Sequence, residues 1–261
     1  MQSALRHPRR RATRLAAVAL SLTLTCIVSA CGGGSEGTSP PASAPIENPV
    51  DPATAGRVVG KVTLIGAPPA AQTIDTKNDP NCTGTVKTEE VVVGADGALQ
   101  NVFVYVKDGL GNLVFPVPSE PVVLAQKDCM YRPHVVGLQV GQTLDILNED
   151  DTLHNIHAVP EQNGEFNKAQ QFKGFRNPHV FSTKEVMIPF KCDVHRWMTA
   201  YVSVLDHPFF AVTADGGTFA LEGLPPGTYT IEAVHEKYGR QTQSVTLPEK
   251  GAQEIAFTFK T

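Results

Sequence analysis

Residues Pro189–Val204 read PFKCDVHRWMTAYVSV and hold Cys192, His195 and Met198 at intervals of three and three, with the chain's one tryptophan, Trp197, among them. Two readings compete: ordinary packed side chains, or three ligands of a metal. Around this stretch the chain is punctuated as β throughout. Short runs rich in Val, Ile and Leu (VVGKVTL, EEVVVG, NVFVYVKD, PVVLAQKD, HVVGLQV, QTLDILNED, LHNIHAV) alternate with Gly, Pro, Asn and Asp. No long window carries apolar groups at helical spacing, so a β-sandwich is expected. Residues 140–143 (VGQT) read as a tight turn between two strands, and Glu161–Asn177, polar and irregular, as a loop.

One other histidine-rich stretch, NEDDTLHNIHAVP (Asn148–Pro160), places His154 and His157 three apart. An ideal strand sends residues at an odd spacing to opposite faces. His154, which follows the acidic turn and begins a strand, is therefore the candidate imidazole, and His157 is set aside. A type 1 copper ion takes one thiolate and two imidazoles in a trigonal set, with a weak axial thioether. Cys192, His195, Met198 and His154 supply that set. The plainer alternatives are a buried inert thiol at Cys192, a surface histidine at 154 and a core tryptophan at 197. Trp197 is otherwise expected to shield the metal or face a redox partner. His134 is expected to be a hydrogen-bonded structural residue.

These residues carry a family resemblance. LHNIHAV resembles the first-ligand strand of plastocyanin-like cupredoxins, and CDVHRWM resembles the short ligand loop of amicyanin. The resemblance spans roughly residues 91–205. It implies one type 1 copper held by His154, Cys192 and His195 with Met198 axial, and Asn155 as a brace between loops. The last fifty or so residues, with the turn GLPPGTY (Gly223–Tyr229), resemble the carboxypeptidase-regulatory-like, prealbumin-like β-sandwich. That family opens with a strand of the kind seen far upstream at GRVVGKVTLIGAPP (Gly56–Pro69). The whole chain resembles exported proteins of the methylamine-utilisation type. The expected fold class is all-β, a cupredoxin-like Greek-key sandwich at 57–206 plus a small prealbumin-like sandwich at 207–261. Whether 57–69 completes the second sandwich is left open.

The first residues carry Arg6, Arg9, Arg10, Arg11 and Arg14, then the apolar run LAAVALSLTLTCIV. The run is too short to span a bilayer comfortably and has the form of an export signal at 1–30. The ending VSAC resembles a lipobox, which implies lipidation of Cys31, and Gly32 after it fits sorting to an outer membrane where the cell has one. Residues 31–56, rich in Gly, Ser, Pro and Ala, read as a disordered tether. With the five signal arginines removed, 17 of the 22 basic residues stand against 26 acidic ones, a net charge near −9. No nucleic acid is expected as partner. Membrane contact is expected through the lipid only, on the periplasmic face.

Of five cysteines, Cys26 lies in the signal and Cys31 is the expected anchor. Three remain in an oxidising compartment. Cys82 and Cys129, each beside turn-like residues, are expected to form a disulfide, leaving Cys192 for the metal. The leading function is a one-electron carrier with an unidentified redox partner protein. The alternatives are a copper-binding module for trafficking or resistance, and a structural lipoprotein. No enzyme is expected, since nucleotide loops and serine elbows are missing from the sequence.

Overall fold

The computed structural model describes residues 47–261. The signal, Cys26, Cys31 and most of the tether lie outside them. The strands in chain order are β1 (Gly56–Ile65), β2 (Phe103–Asp108), β3 (Val122–Lys127), β4 (Met130–Arg132), β5 (Val135–Gln139), β6 (Thr143–Asn148), β7 (His154–Ala158) and β8 (Phe166–Gln170). They continue as β9 (Arg176–Val180), β10 (Glu185–Lys191), β11 (Thr199–Leu205), β12 (Phe210–Val212), β13 (Thr218–Leu224), β14 (Gly227–His235), β15 (Gly239–Leu247) and β16 (Ala252–Lys260). The fold is all-β, in four sheets.

Two sheets, ordered β5-β11-β10-β7-β8 and β4-β3-β6-β9, enclose one core of Leu124, Tyr131, Leu144, Ile146, Ile156, Phe181, Phe190 and their neighbours, in which Cys192 and Met198 also lie. The other two, β13-β1-β16 and β12-β2-β14-β15, enclose a second core around Val58, Val104, Leu221, Ile231, Phe257 and Phe259. The strand β1 lies between β13, antiparallel to it, and β16, parallel to it over nine residue pairs from Arg57↔Ala252 to Ile65↔Lys260. Gly56–Ile65 thus pairs on both sides with strands from the C-terminal part of the chain.

One further set of strand pairings runs across the position 206/207. β2, inside the stretch assigned to the first sandwich, pairs with β12 and β14 of the second. The physical reason is visible in its alternation. Val104 and Val106 enter the second core, whereas Phe103 and Tyr105 enter a third cluster with Val135, Leu205 and Val234. A strand buried on both faces belongs between two layers. The first sandwich, β3 to β11, is thus inserted between two strands of the second, and the third cluster is the joint. Tyr105, Lys107 and Arg240 all donate to the buried Glu232 beside that joint.

Two other expectations are corrected. Residues 161–177, read as a loop, contain β8 and the start of β9. Both are edge strands with one partner each and largely exposed faces, so burial imposes no apolar period on them. The run EEVVVG at 89–94, read as a strand, is irregular: Val91 and Val93 pack onto the second core from a loop. The turn at 140–143 and the link GLPPGTY between β13 and β14 are where the sequence places them.

Cys82 and Cys129 form a disulfide. Cys129 and Asp128 are the two central residues of the β3–β4 hairpin, both at positive φ (55° and 54°), the signature of a two-residue type I′ turn. The bond closes a sequence separation of 47 residues, which in the chain-entropy model corresponds to about 4 kcal/mol.

Candidate metal centre

The loop 192–198 joins β10 to β11, and its mouth is closed by hydrogen bonds from Cys192 N to Met198 O (3.2 Å) and from Met198 N to His195 O (2.8 Å). Antiparallel pairing of Lys191 with His157 and of Phe190 with Ala158 lays the start of β7 beside this loop. That register brings His154 to Cys192 and His195.

Three donor atoms converge. His154 Nδ1 and His195 Nδ1 are 2.9 Å apart, and Cys192 Sγ lies 4.0 Å from the first and 3.9 Å from the second. All three residues are buried, at 0, 1 and 2% exposure for His154, Cys192 and His195. The outer nitrogens are both held by carboxylates: His154 Nε2 by Asp150 Oδ2 at 2.9 Å and His195 Nε2 by Asp79 Oδ2 at 2.8 Å. A carboxylate partner fixes the proton on Nε2 and leaves Nδ1 as the lone-pair nitrogen. Two such lone pairs facing each other beside a sulfur require a cation between them, either one proton or one metal ion. A cation about 2.0–2.3 Å from two imidazoles and a thiolate separates the donors by about 3.5–3.8 Å in a trigonal set. The two sulfur edges, at 4.0 and 3.9 Å, are slightly longer than this, and the nitrogen–nitrogen edge, at 2.9 Å, is shorter. The residues present fit a copper ion.

The sulfur is prepared for ligation. Burial raises the Cys192 pKa, but the two imidazoles, when they carry a proton on Nδ1, and the backbone N–H groups of Asn155 and His195 outweigh it and bring it down to about 6. The thiolate is the ligating form. Burial also opposes charge on His154 and His195. Contacts with Asp150 and the Cys192 sulfur in the first case, and with the sulfur and Asp79 in the second, overcome it and raise both pKa values.

Met198 is fully buried in the same core cluster as Cys192. Asn155 ties β7 to the ligand loop: its Oδ1 accepts from Asp193 N, and its Nδ2 donates to Asn167 Oδ1 (2.7 Å) and Asp193 Oδ2 (3.0 Å). His157 stands apart from the three donors, with Nδ1 on Asp193 Oδ1 (3.1 Å) and Nε2 on Glu165 Oε1 (2.9 Å). His134 bonds through Nε2 to Glu236. Trp197 packs its ring 5.1 Å from that of His195 and donates from Nε1 to Cys129 O at 3.0 Å.

The sequence reading missed Asp79, Asp150 and the disulfide's place beside the centre. Cys82 Sγ lies 3.7 Å from His195 Nε2. Asp150 also accepts from the N–H groups of Asp128 and Cys129 (2.8 and 2.9 Å), so one carboxylate steadies both the hairpin tip and the His154 ring. The signal available for Asp150 was its position four residues before His154. For Asp79 it was only the neighbouring Cys82.

Residues 198–260 match the family model of the carboxypeptidase regulatory-like domain. That range includes β11 of the first sandwich, while β1 and β2 come from upstream of it. No curated protein matches the chain. Among solved structures the chain is similar to a copper-containing nitrite reductase from Thermus scotoductus SA-01, at 18% identity, 39% of this chain, 26% of that one and a TM-score of 0.32. It is similar to a copper(I) form of an amicyanin variant at 22% identity, covering 34% of this chain and 85% of that one, TM-score 0.29. A purple cupredoxin from Nitrosopumilus maritimus matches at 24% identity, 33% of this chain and 99% of that one, TM-score 0.28. The overlap with the nitrite reductase spans about a quarter of that chain.

Proposed function

We propose that this chain is an exported, lipid-anchored protein in which His154, Cys192, His195 and Met198 would hold one copper ion, and that it carries single electrons to or from a partner protein. The observation that carries this reading is the facing pair of Nδ1 lone pairs beside a thiol whose pKa is lowered to about 6. When bound, the copper would supply reversible one-electron chemistry with strong thiolate covalency. The chain's own residues do the rest. Asp79 and Asp150 hold the imidazoles in the ligating tautomer, the N–H groups of Asn155 and His195 hold the sulfur, and the β7, β10 and β11 framework keeps the donors in place and water away.

Burial of all three donors favours a carrier over a trafficking module, because delivery of metal to another protein needs an approach to the ligands. The anchor at Cys31 rests on VSAC, and the excess of acidic residues in the exported part favours a basic partner. The decisive experiment is the visible spectrum of the copper-loaded protein with metal content from the same sample. An intense thiolate band at one copper per chain, lost in Cys192→Ser with the β circular dichroism intact, is the expected result. Tight copper without such a band, or no copper at all, would overturn the reading.

A further inference from the structure

The connection from β1 to β2 passes over the metal centre. Its two arms bond to each other, with Ile74 N donating to Val86 O (2.9 Å), Thr88 N to Gln72 O (3.0 Å) and Gln72 N to Thr88 Oγ1 (3.0 Å). At its tip, Thr76–Cys82 is folded by bonds from Asp79 N to Thr76 O (3.0 Å), Cys82 N to Asp79 O (3.1 Å) and Thr76 Oγ1 to Cys82 O (2.8 Å). The tip is anchored to the first sandwich by the Cys82–Cys129 bond and by Thr152 Oγ1 donating to Asp79 Oδ2 at 2.6 Å. Both groups in contact with His195 Nε2, Asp79 Oδ2 at 2.8 Å and Cys82 Sγ at 3.7 Å, belong to this tip.

We infer that the loop Gln72–Thr88 is a covalently fastened cover over the metal centre, with Asp79 as a positioning residue for His195, and that it makes the bound metal slow to exchange. The inference rests on the copper reading above and deepens it. His154 begins β7 and Cys192 directly follows β10, so both donors are tied to sheet strands. His195 sits mid-loop, four residues from both Lys191 and Thr199, and is the donor least tied to a strand. Its ring is closed in by Trp197 on one side and by the loop tip at Nε2. To leave the metal, the imidazole must break its bond to Asp79 and displace a tip that the disulfide holds down. A competing chelator meets the same obstruction.

Capture of copper from the loaded full-length protein by the copper(I) chelator bicinchoninate, followed by its colour, reads the exchange rate. Cys82→Ser/Cys129→Ser, which frees the tip that carries Asp79, should release copper about tenfold faster than the wild type or more, the factor that losing the Asp79–His195 bond at typical strength corresponds to. Asp79→Ala, which keeps the disulfide and stands in where the double variant fails to fold, should also release faster. Asp79→Asn, whose neutral amide oxygen still accepts from Nε2 but without the charge, should release at a rate between those of the wild type and Asp79→Ala. In the metal-free proteins, diethylpyrocarbonate with peptide mass mapping should modify His157 in every variant. It should modify His195 only where the cover is loosened. Unchanged release rates, or His195 equally protected in all variants, would overturn the inference. A wild type that never shows the thiolate band would sink the copper reading instead, while the metal-free modification still decides the cover.

Discussion

His154, at the start of β7, and His195, in the middle of the 192–198 loop, face each other Nδ1 to Nδ1 at 2.9 Å, each with its far nitrogen on an aspartate. The arrangement distinguishes His154 from His157, whose nitrogens are both taken by carboxylates away from the sulfur. His154→Ala should weaken the thiolate band and leave a position that added imidazole refills. His157→Ala should leave the spectrum nearly unchanged. The opposite pattern would mean that His157 is the ligand.

Asp150 serves three donors, two at the hairpin tip and one on the His154 ring. Asp150→Ala strands two backbone N–H groups, one of them on the buried Cys129, and should cost about 1–3 kcal/mol. Urea unfolding of the metal-free protein measures this. A midpoint unchanged from the wild type would show that water replaces the carboxylate at no cost.

His235 gives the C-terminal sandwich a pH dependence. It is 1% exposed, its Nδ1 accepts from Lys237 N and Tyr238 N, and its Nε2 has no partner among the described residues. Burial, with the nearby His134 charge adding to it and Glu90 opposing it, lowers its pKa to about 4. Below its ordinary value of 6.5 the unfolded chain takes up a proton that the folded chain refuses. Stability is therefore full above that value, falls as the pH drops towards 4, and levels off beneath it, a loss of about 3 kcal/mol. His235→Asn keeps an acceptor for the Lys237 N–H and removes the titration. The difference between variant and wild-type urea midpoints should shift in the variant's favour from pH 7 to pH 4, and a constant difference would refute the assignment.

Gly137 tests the joint between the sandwiches. A Cβ there would meet the Phe210 ring at 2.6 Å and the Phe103 ring at 2.7 Å. Gly137→Leu should overpack that contact at a cost of about 1–3 kcal/mol, read as a lower thermal midpoint. Its neighbour Leu138 faces the other core, so the colour of the copper-loaded protein should be retained. A stability equal to the wild type would mean that the two sandwiches tolerate separation.

What the sequence made legible follows from how far apart the participants lie. Cys192, His195 and Met198 are contiguous because one hairpin loop carries them, so their spacing survives as a string. The Cys82–Cys129 pair could be reached by counting. Asp79 stands 116 residues from the histidine it holds, and no local pattern reports such a bond. β8 and β9 escaped because edge strands with wet faces have no apolar rhythm. β2 was legible as a strand, with valines on one side and Phe103 and Tyr105 on the other, but two apolar faces are ambiguous until both layers are known. The apolar run at 91–93 misled in the opposite direction, since burial alone does not impose strand pairing.

The insertion of one sandwich between strands of the other separates the order of synthesis from the order of assembly. β1 is made before the first sandwich, yet its parallel partner β16 is made after it, with Arg57 waiting for Ala252 and Ile65 for Lys260. The first sandwich has all nine of its strands by Leu205 and can close while β1 and β2 are still without neighbours on either side. Contacts of such long sequence separation form late and slowly. Until the nine residues of β16 arrive, β1 is an apolar strand with a bare edge, the kind of surface that chaperones hold and that aggregates recruit.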